Sequence, residues 1–223
     1  MKTKYYAGLG FLQLNALIVC MSLSSCSDKA GNAPVCPDEN HPHMIDLGLP
    51  DGTLWSCCNV GAPQPEEAGG FYSWGETEVK SVYDDAHYMH GEVSNKSAQS
   101  MGSIAGSKYD AATVRMGQSW QIPSSEQWQE LIDYCTKEYC SYQGHHGLMF
   151  TGPNSNRIFV PAGGTRYGQS EWHSKDEQGS YWASNMSDTG QESACAFGFH
   201  ESWSGVGTDN RLSSGMNIRP VAR

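Results

Sequence analysis

The 223 residues carry 24 acidic against 14 basic side chains, a formal charge of -10 at pH 7. With no basic run and no basic helix, that balance excludes nucleic acid as a partner, because a phosphate-binding surface needs clustered Lys and Arg. At 38% hydrophobic residues, the length suits one domain of ordinary size. Lys2 and Lys4, an apolar run from Ala7 to Met21 and the tetrapeptide Leu23-Ser24-Ser25-Cys26 read as a bacterial lipoprotein signal. The run is shorter than the about 20 apolar residues that span a bilayer, and Gln13 and Asn15 interrupt it. Cleavage before Cys26 makes that cysteine the lipidated N-terminus. The leader removes two lysines and no acid, leaving 12 basic and 24 acidic residues, a charge of -12.

Residues 26–43 are polar, proline-bearing and aperiodic, and read as a tether ahead of a domain at 44–223. A hairpin follows: Met44 to Leu49 and Thr53 to Val60 are strand-like, and Pro50-Asp51-Gly52 supplies the turn. Residues 63–107 read mostly as loop, with Phe71 to Trp74 as a buried anchor and a short helix over Tyr109 to Met116. Ser124 and Gln127 then have capping-box spacing, and Trp128, Leu131, Ile132 and Cys135 recur on one helical face, so a second helix is expected to about Lys137. From Leu148 onward short strands alternate with glycine, at 148–151, 157–160, 163–167, 181–184, 194–200 and 216–221. The 25 glycines, seven tryptophans and eleven tyrosines suit a loop-rich fold whose core is filled by aromatics. Of eight cysteines, Cys20 leaves with the leader and Cys26 takes lipid. Cys36, Cys57, Cys58, Cys135, Cys140 and Cys195 remain in an oxidising compartment, with their pairing open.

Several motifs occur in one order: Asp46-Leu47-Gly48-Leu49-Pro50-Asp51-Gly52-Thr53-Leu54-Trp55, Cys58-Asn59-Val60-Gly61-Ala62, Tyr72-Ser73-Trp74-Gly75-Glu76-Thr77 and Lys108-Tyr109-Asp110-Ala111-Ala112. Trp120-Gln121-Ile122-Pro123-Ser124, Ile158-Phe159-Val160-Pro161-Ala162-Gly163-Gly164, Tyr181-Trp182-Ala183-Ser184 and Arg219-Pro220-Val221 continue it. Together they resemble the Fibrobacter succinogenes major paralogous domain family over nearly all of residues 44–221. The resemblance implies an α+β, C-type-lectin-like fold related to formylglycine-generating enzymes, with two helices, a small twisted, mostly antiparallel sheet and long loops. It also implies a disulfide between Cys58 and Cys135.

Catalysis of the formylglycine-generating kind needs two cysteines in the C-terminal part that bind copper, and only Cys195 lies there. Calcium-dependent sugar binding needs Glu-Pro-Asn or Gln-Pro-Asp with Trp-Asn-Asp, and neither tripeptide occurs. The histidines at 41 and 43, 87 and 90, and 145 and 146 show no third metal ligand at a recognisable spacing and read as surface residues. No enzyme, metal or cofactor is therefore expected. Between Tyr181 and Asn217, His200, Glu201, Trp203, Asp209, Asn210 and Arg211 stand among Gly and Ser, the composition of an adaptable binding surface. Trp172 and His173 are candidates for the same face. Trp55, Trp74, Trp120, Trp128 and Trp182 lie in motifs and are expected in the core. The sequence thus predicts a lipid-anchored, surface-exposed outer-membrane protein binding an extracellular glycan or protein. A receptor diversified by a retroelement and an envelope or matrix subunit are the alternatives.

Overall fold

The computed structural model describes residues 25–26, 36–90, 101–169, 171–188 and 193–222, excepting the side chains of Glu171, Trp172 and Asp209. Most of the expected leader and residues 27–35 of the expected tether lie outside the described residues. Gly52 takes a φ of +73° and its N–H donates to the Leu49 carbonyl at 3.1 Å, so the turn forms where the sequence places it. It joins β1 (Met44–Asp46) to β2 (Leu54–Ser56). The C-terminal β13 (Val221–Ala222) lies between β2 and β4 (Trp120–Gln121), closing the chain against its first hairpin in the order β1-β2-β13-β4.

The six-residue α1 (Ala111–Met116) ends where Gly117 adopts a φ of +100°. In the ten-residue α2 (Ser125–Tyr134) the capping box forms: the Gln127 N–H donates to Ser124 Oγ at 3.2 Å and the Ser124 N–H to Gln127 Oε1 at 3.0 Å. The helix stops before the expected Lys137, because Thr136–Tyr142 is strand β5. Its β-branched Thr136 and aromatic Tyr139 and Tyr142 suit a pleated strand, and it pairs residue for residue with β6 (His145–Thr151), which pairs in turn with β7 (Arg157–Pro161). A further sheet joins β3 (Val82–Tyr83), β8 (Thr165–Gln169) and β9 (Glu171–His173). The last joins β10 (Gln178–Met186), β11 (Ser193–His200) and β12 (Trp203–Arg211).

Among the described residues, four small antiparallel sheets and one helix longer than six residues make a β-rich fold. This corrects the expected α+β, C-type-lectin-like class with two helices and a single small sheet. The helical share shrinks because Gly117 stops α1 after six residues and cross-strand pairing takes over directly after α2.

The middle of the β10-β11-β12 sheet is buried on both faces. Tyr181, Phe197 and Phe199 meet Trp55, Trp128 and Phe150 on one side, with the Trp128 and Phe197 rings stacked at 4.5 Å. Trp182, Ala194 and Ala196 meet Trp74, Ile122 and Ile218 on the other. All five tryptophans expected in the core are buried. Among the described residues no helix is long and apolar enough to cross a membrane.

Candidate functional site

Much of the segment expected as an adaptable binding surface is the β11–β12 hairpin. His200 pairs with Trp203 at its end and Gly198 with Gly205 one step inward on the same face. The Trp203 indole lies back across that glycine pair. A Cβ added at Gly205 would stand 3.1 Å from Trp203 Cζ2, and one at Gly198 3.3 Å from Cζ3. Glycine at both positions therefore lets the ring rest on the backbone, and the side chain remains 52% exposed. Its exposed area is an aromatic surface on a paired β-scaffold.

His200 continues that surface, its ring centroid 6.0 Å from that of Trp203. His200 and Glu201 also border a cleft of about 640 Å³ with Tyr139, His146 and residues 174–178. The turn forming the cleft floor holds Ser174 at a φ of +53° and Asp176 at +62°, conformations that side-chain-bearing residues rarely adopt. It is tied down by the Tyr139 hydroxyl, which donates to the Asp176 and Glu177 carbonyls at 3.2 Å, and by His146 Nδ1, 3.0 Å from the Asp176 carbonyl. On the sheet face, Ser180 pairs with Gly198, and Thr165 Oγ1 donates to Ser180 Oγ at 2.9 Å. The β8–β9 hairpin consequently borders the Trp203 face. It carries Trp172 opposite Arg166 and His173 opposite Thr165.

The expected site is thus divided. Asn210 is occupied: its Nδ2 donates to the Ala194 carbonyl at 3.1 Å and the Gly207 carbonyl at 3.2 Å, filling the irregularity where β11 and β12 change register. Arg211 pairs with Asp85 at 3.5 Å at the other end of the strand, about 26 Å from Trp203 at ~3.3 Å rise per residue. Asp209 lies in β12 and Trp172 in β9, and the expected roles of their side chains fall outside the described atoms. The structure brings together His200, Glu201 and Trp203, with His173 on the bordering hairpin.

The cysteines also depart from expectation. Cys58 and Cys135 are not bonded to each other; both are free and buried, and Cys58 Sγ lies 3.6 Å from Cys57 Sγ. The disulfide of the described residues joins Cys26 to Cys140. Its position follows from the backbone, since the Cys26 N–H donates to the Ser141 carbonyl at 3.0 Å alongside β5.

Residues 36–43, read as part of a tether, are folded against the domain. They bring Cys36, His41 and His43 to Cys57, with one ligand-type atom from each lying within 4.8 Å of the others. The Cys36 and then the Cys58 thiol hydrogen-bond to Cys57 and hold its thiol well below the ordinary range, while the same bonds and burial push Cys36 and Cys58 up. The histidine doublet at 41 and 43 was the sequence signal for the cluster. Its completing cysteine sits on the far side of the β1–β2 hairpin, where linear spacing does not point. Comparisons with protein-family models, with curated proteins and with solved structures find no match for the chain.

Proposed function

We propose that this chain is a non-catalytic recognition domain, held at a bacterial outer surface by a lipidated Cys26, that takes the apolar face of a sugar ring on Trp203. The exposed indole laid over Gly198 and Gly205 carries the reading. A sugar offers a face of C–H bonds that an immobilised aromatic ring receives at small entropic cost, while its hydroxyls need charged or amide partners. Glu201, Lys175 and Asp176 border the adjoining cleft and supply them. The ordered motifs that resemble the Fibrobacter succinogenes major paralogous domain family are in keeping with an envelope-facing binding role.

The test is binding of the full chain to a glycan array alongside Trp203→Ala and Gly198→Val. Truncating a central aromatic anchor costs about 2 kcal/mol or more, a loss of roughly 30-fold in affinity. Gly198→Val should lose binding similarly with the indole still present, because its side chain displaces the ring from the sheet. Neither change should lower Tm much, since the ring is half exposed and leaves no cavity in the core. Saturable binding that survives both substitutions would overturn the proposed site.

The anchor has its own test. One sulfur atom holds either the diacylglycerol thioether or the bond to Cys140. In the processed lipoprotein, Cys140 is expected as a free thiol buried with Met149 and Phe159. Labelled fatty acid should enter the wild-type chain and be absent from Cys26→Ser. Recovery of a Cys26–Cys140 cross-linked peptide from the mature membrane protein would refute lipidation at this position.

A further inference from the structure

We propose that Cys36, His41, His43 and Cys57 form a structural zinc site that fastens the segment leading into the domain onto its first hairpin. Two thiolates and two imidazoles are a closed tetrahedral donor set for a borderline-soft divalent cation, and their charges sum with that of zinc to zero. The spacing of the donors fits. Zinc–sulfur and zinc–nitrogen bonds of about 2.3 and 2.05 Å at the tetrahedral angle separate the two donors by about 3.6 Å. Cys57 Sγ lies 3.4 Å from His41 Nδ1 and 3.7 Å from His43 Nδ1.

The surroundings of the four donors point the same way independently. Both histidines turn Nδ1 towards Cys57 and Nε2 towards a carboxylate, His43 to Asp38 at 3.1 Å and His41 to Glu39 at 3.9 Å. Carboxylates on the outer nitrogen fix the tautomer and orientation of metal-binding imidazoles. The His43 backbone N–H donates to Cys57 Sγ at 3.1 Å, as suits a sulfur that carries negative charge. A cleft of about 380 Å³, walled in part by Cys36 and His41, opens beside the cluster and provides a path for the ion. All four donors come from the protein, leaving no coordination position for substrate, so the role is structural. The ion would replace tertiary packing that the short 36–43 segment lacks, and would set how the domain stands off its anchor.

The full chain, purified without chelator and with its thiols reduced, should bind one zinc per molecule. Cobalt(II) in its place should give the visible absorption of a tetrahedral thiolate complex, bleached by added zinc. Cys57→Ser should abolish stoichiometric binding. Because Cys57 is fully buried, His41→Ala provides a second variant whose fold can be checked by circular dichroism, with zinc affinity expected to fall at least 10-fold. Asp38→Asn should weaken affinity about 10-fold through the orientation of His43. The proposal is overturned if the reduced wild-type chain binds no zinc. Undiminished zinc in both Cys57→Ser and His41→Ala would overturn it too, as would a Cys36–Cys57 disulfide in peptides from chain isolated without reductant.

Discussion

Arg219→Leu is expected to destabilise the domain by about 4 kcal/mol or more, a large share of the ~5–15 kcal/mol that holds an ordinary domain folded. Arg219 is fully buried. Its Nε donates to Asn59 Oδ1 at 2.8 Å, one terminal nitrogen donates to the Ser56 carbonyl at 3.0 Å and also to the Cys57 carbonyl, and the other donates to the Phe159 carbonyl at 2.7 Å. These acceptors belong to the end of β2, the turn after it and the middle of β7, so one guanidinium joins two sheets to the closing segment of the chain. Leucine fills part of the volume and satisfies none of these oxygens, each of which then costs about 1–3 kcal/mol away from water. Arg219→Lys should fall between, since a single ammonium keeps the charge but not the planar fork that reaches both sheets. Denaturant midpoints for the three proteins check this. A loss below about 1 kcal/mol in Arg219→Leu would mean that water reaches the orphaned carbonyls.

Features that depend on neighbouring residues were legible in the sequence. The Pro50-Asp51-Gly52 turn and the Ser124–Gln127 cap are local hydrogen-bond patterns, and both form at the predicted positions. The buried tryptophans were also legible, because each lies in one of the ordered motifs. Cross-strand and tertiary choices were not. Gly205 and Gly207 alternate with inward-facing Val206 in β12, but the same glycine-rich composition suits a loop, and only the partner strand decides between them. The purpose of Gly198 and Gly205 depends on an indole folding back over both. The cysteine outcome was beyond the sequence for a similar reason. Cys58 and Cys135 are each buried in the core, yet the backbone delivers Cys26 and not Cys58 to a bonding partner. Of the expected binding residues, those near the hairpin end remain together, whereas Asn210 and Arg211 are separated from them by the length of an extended strand.

Asp110→Ala is expected to cost a comparable amount, again about 4 kcal/mol or more, through donors instead of acceptors. The carboxylate is fully buried at the head of α1. Oδ1 accepts the N–H groups of Ala112 at 2.9 Å and Thr113 at 3.2 Å, satisfying two of the donors that a helix start leaves unpaired. Oδ2 accepts the N–H groups of Gly106 at 2.8 Å and Ile122 at 3.0 Å, from the preceding turn and from the residue after β4. A six-residue helix has little stability of its own, so its position under Trp74 and Trp182 depends on this cap together with the packing of Ala111 and Ala112. Alanine leaves all four donors unpaired in a site closed to water. Asparagine separates the two halves of the role: its oxygen can keep the helix cap, but its amide then faces Gly106 and Ile122 donor to donor. Asp110→Asn is therefore expected to lose about half of what alanine loses, with the deficit in the 104–107 turn, and amide hydrogen exchange reads it there. Equal losses in the two variants would show that the carboxylate acts as one unit. A silent Asp110→Asn would show instead that the cap alone holds α1 in place and that the contacts to Gly106 and Ile122 contribute nothing to stability.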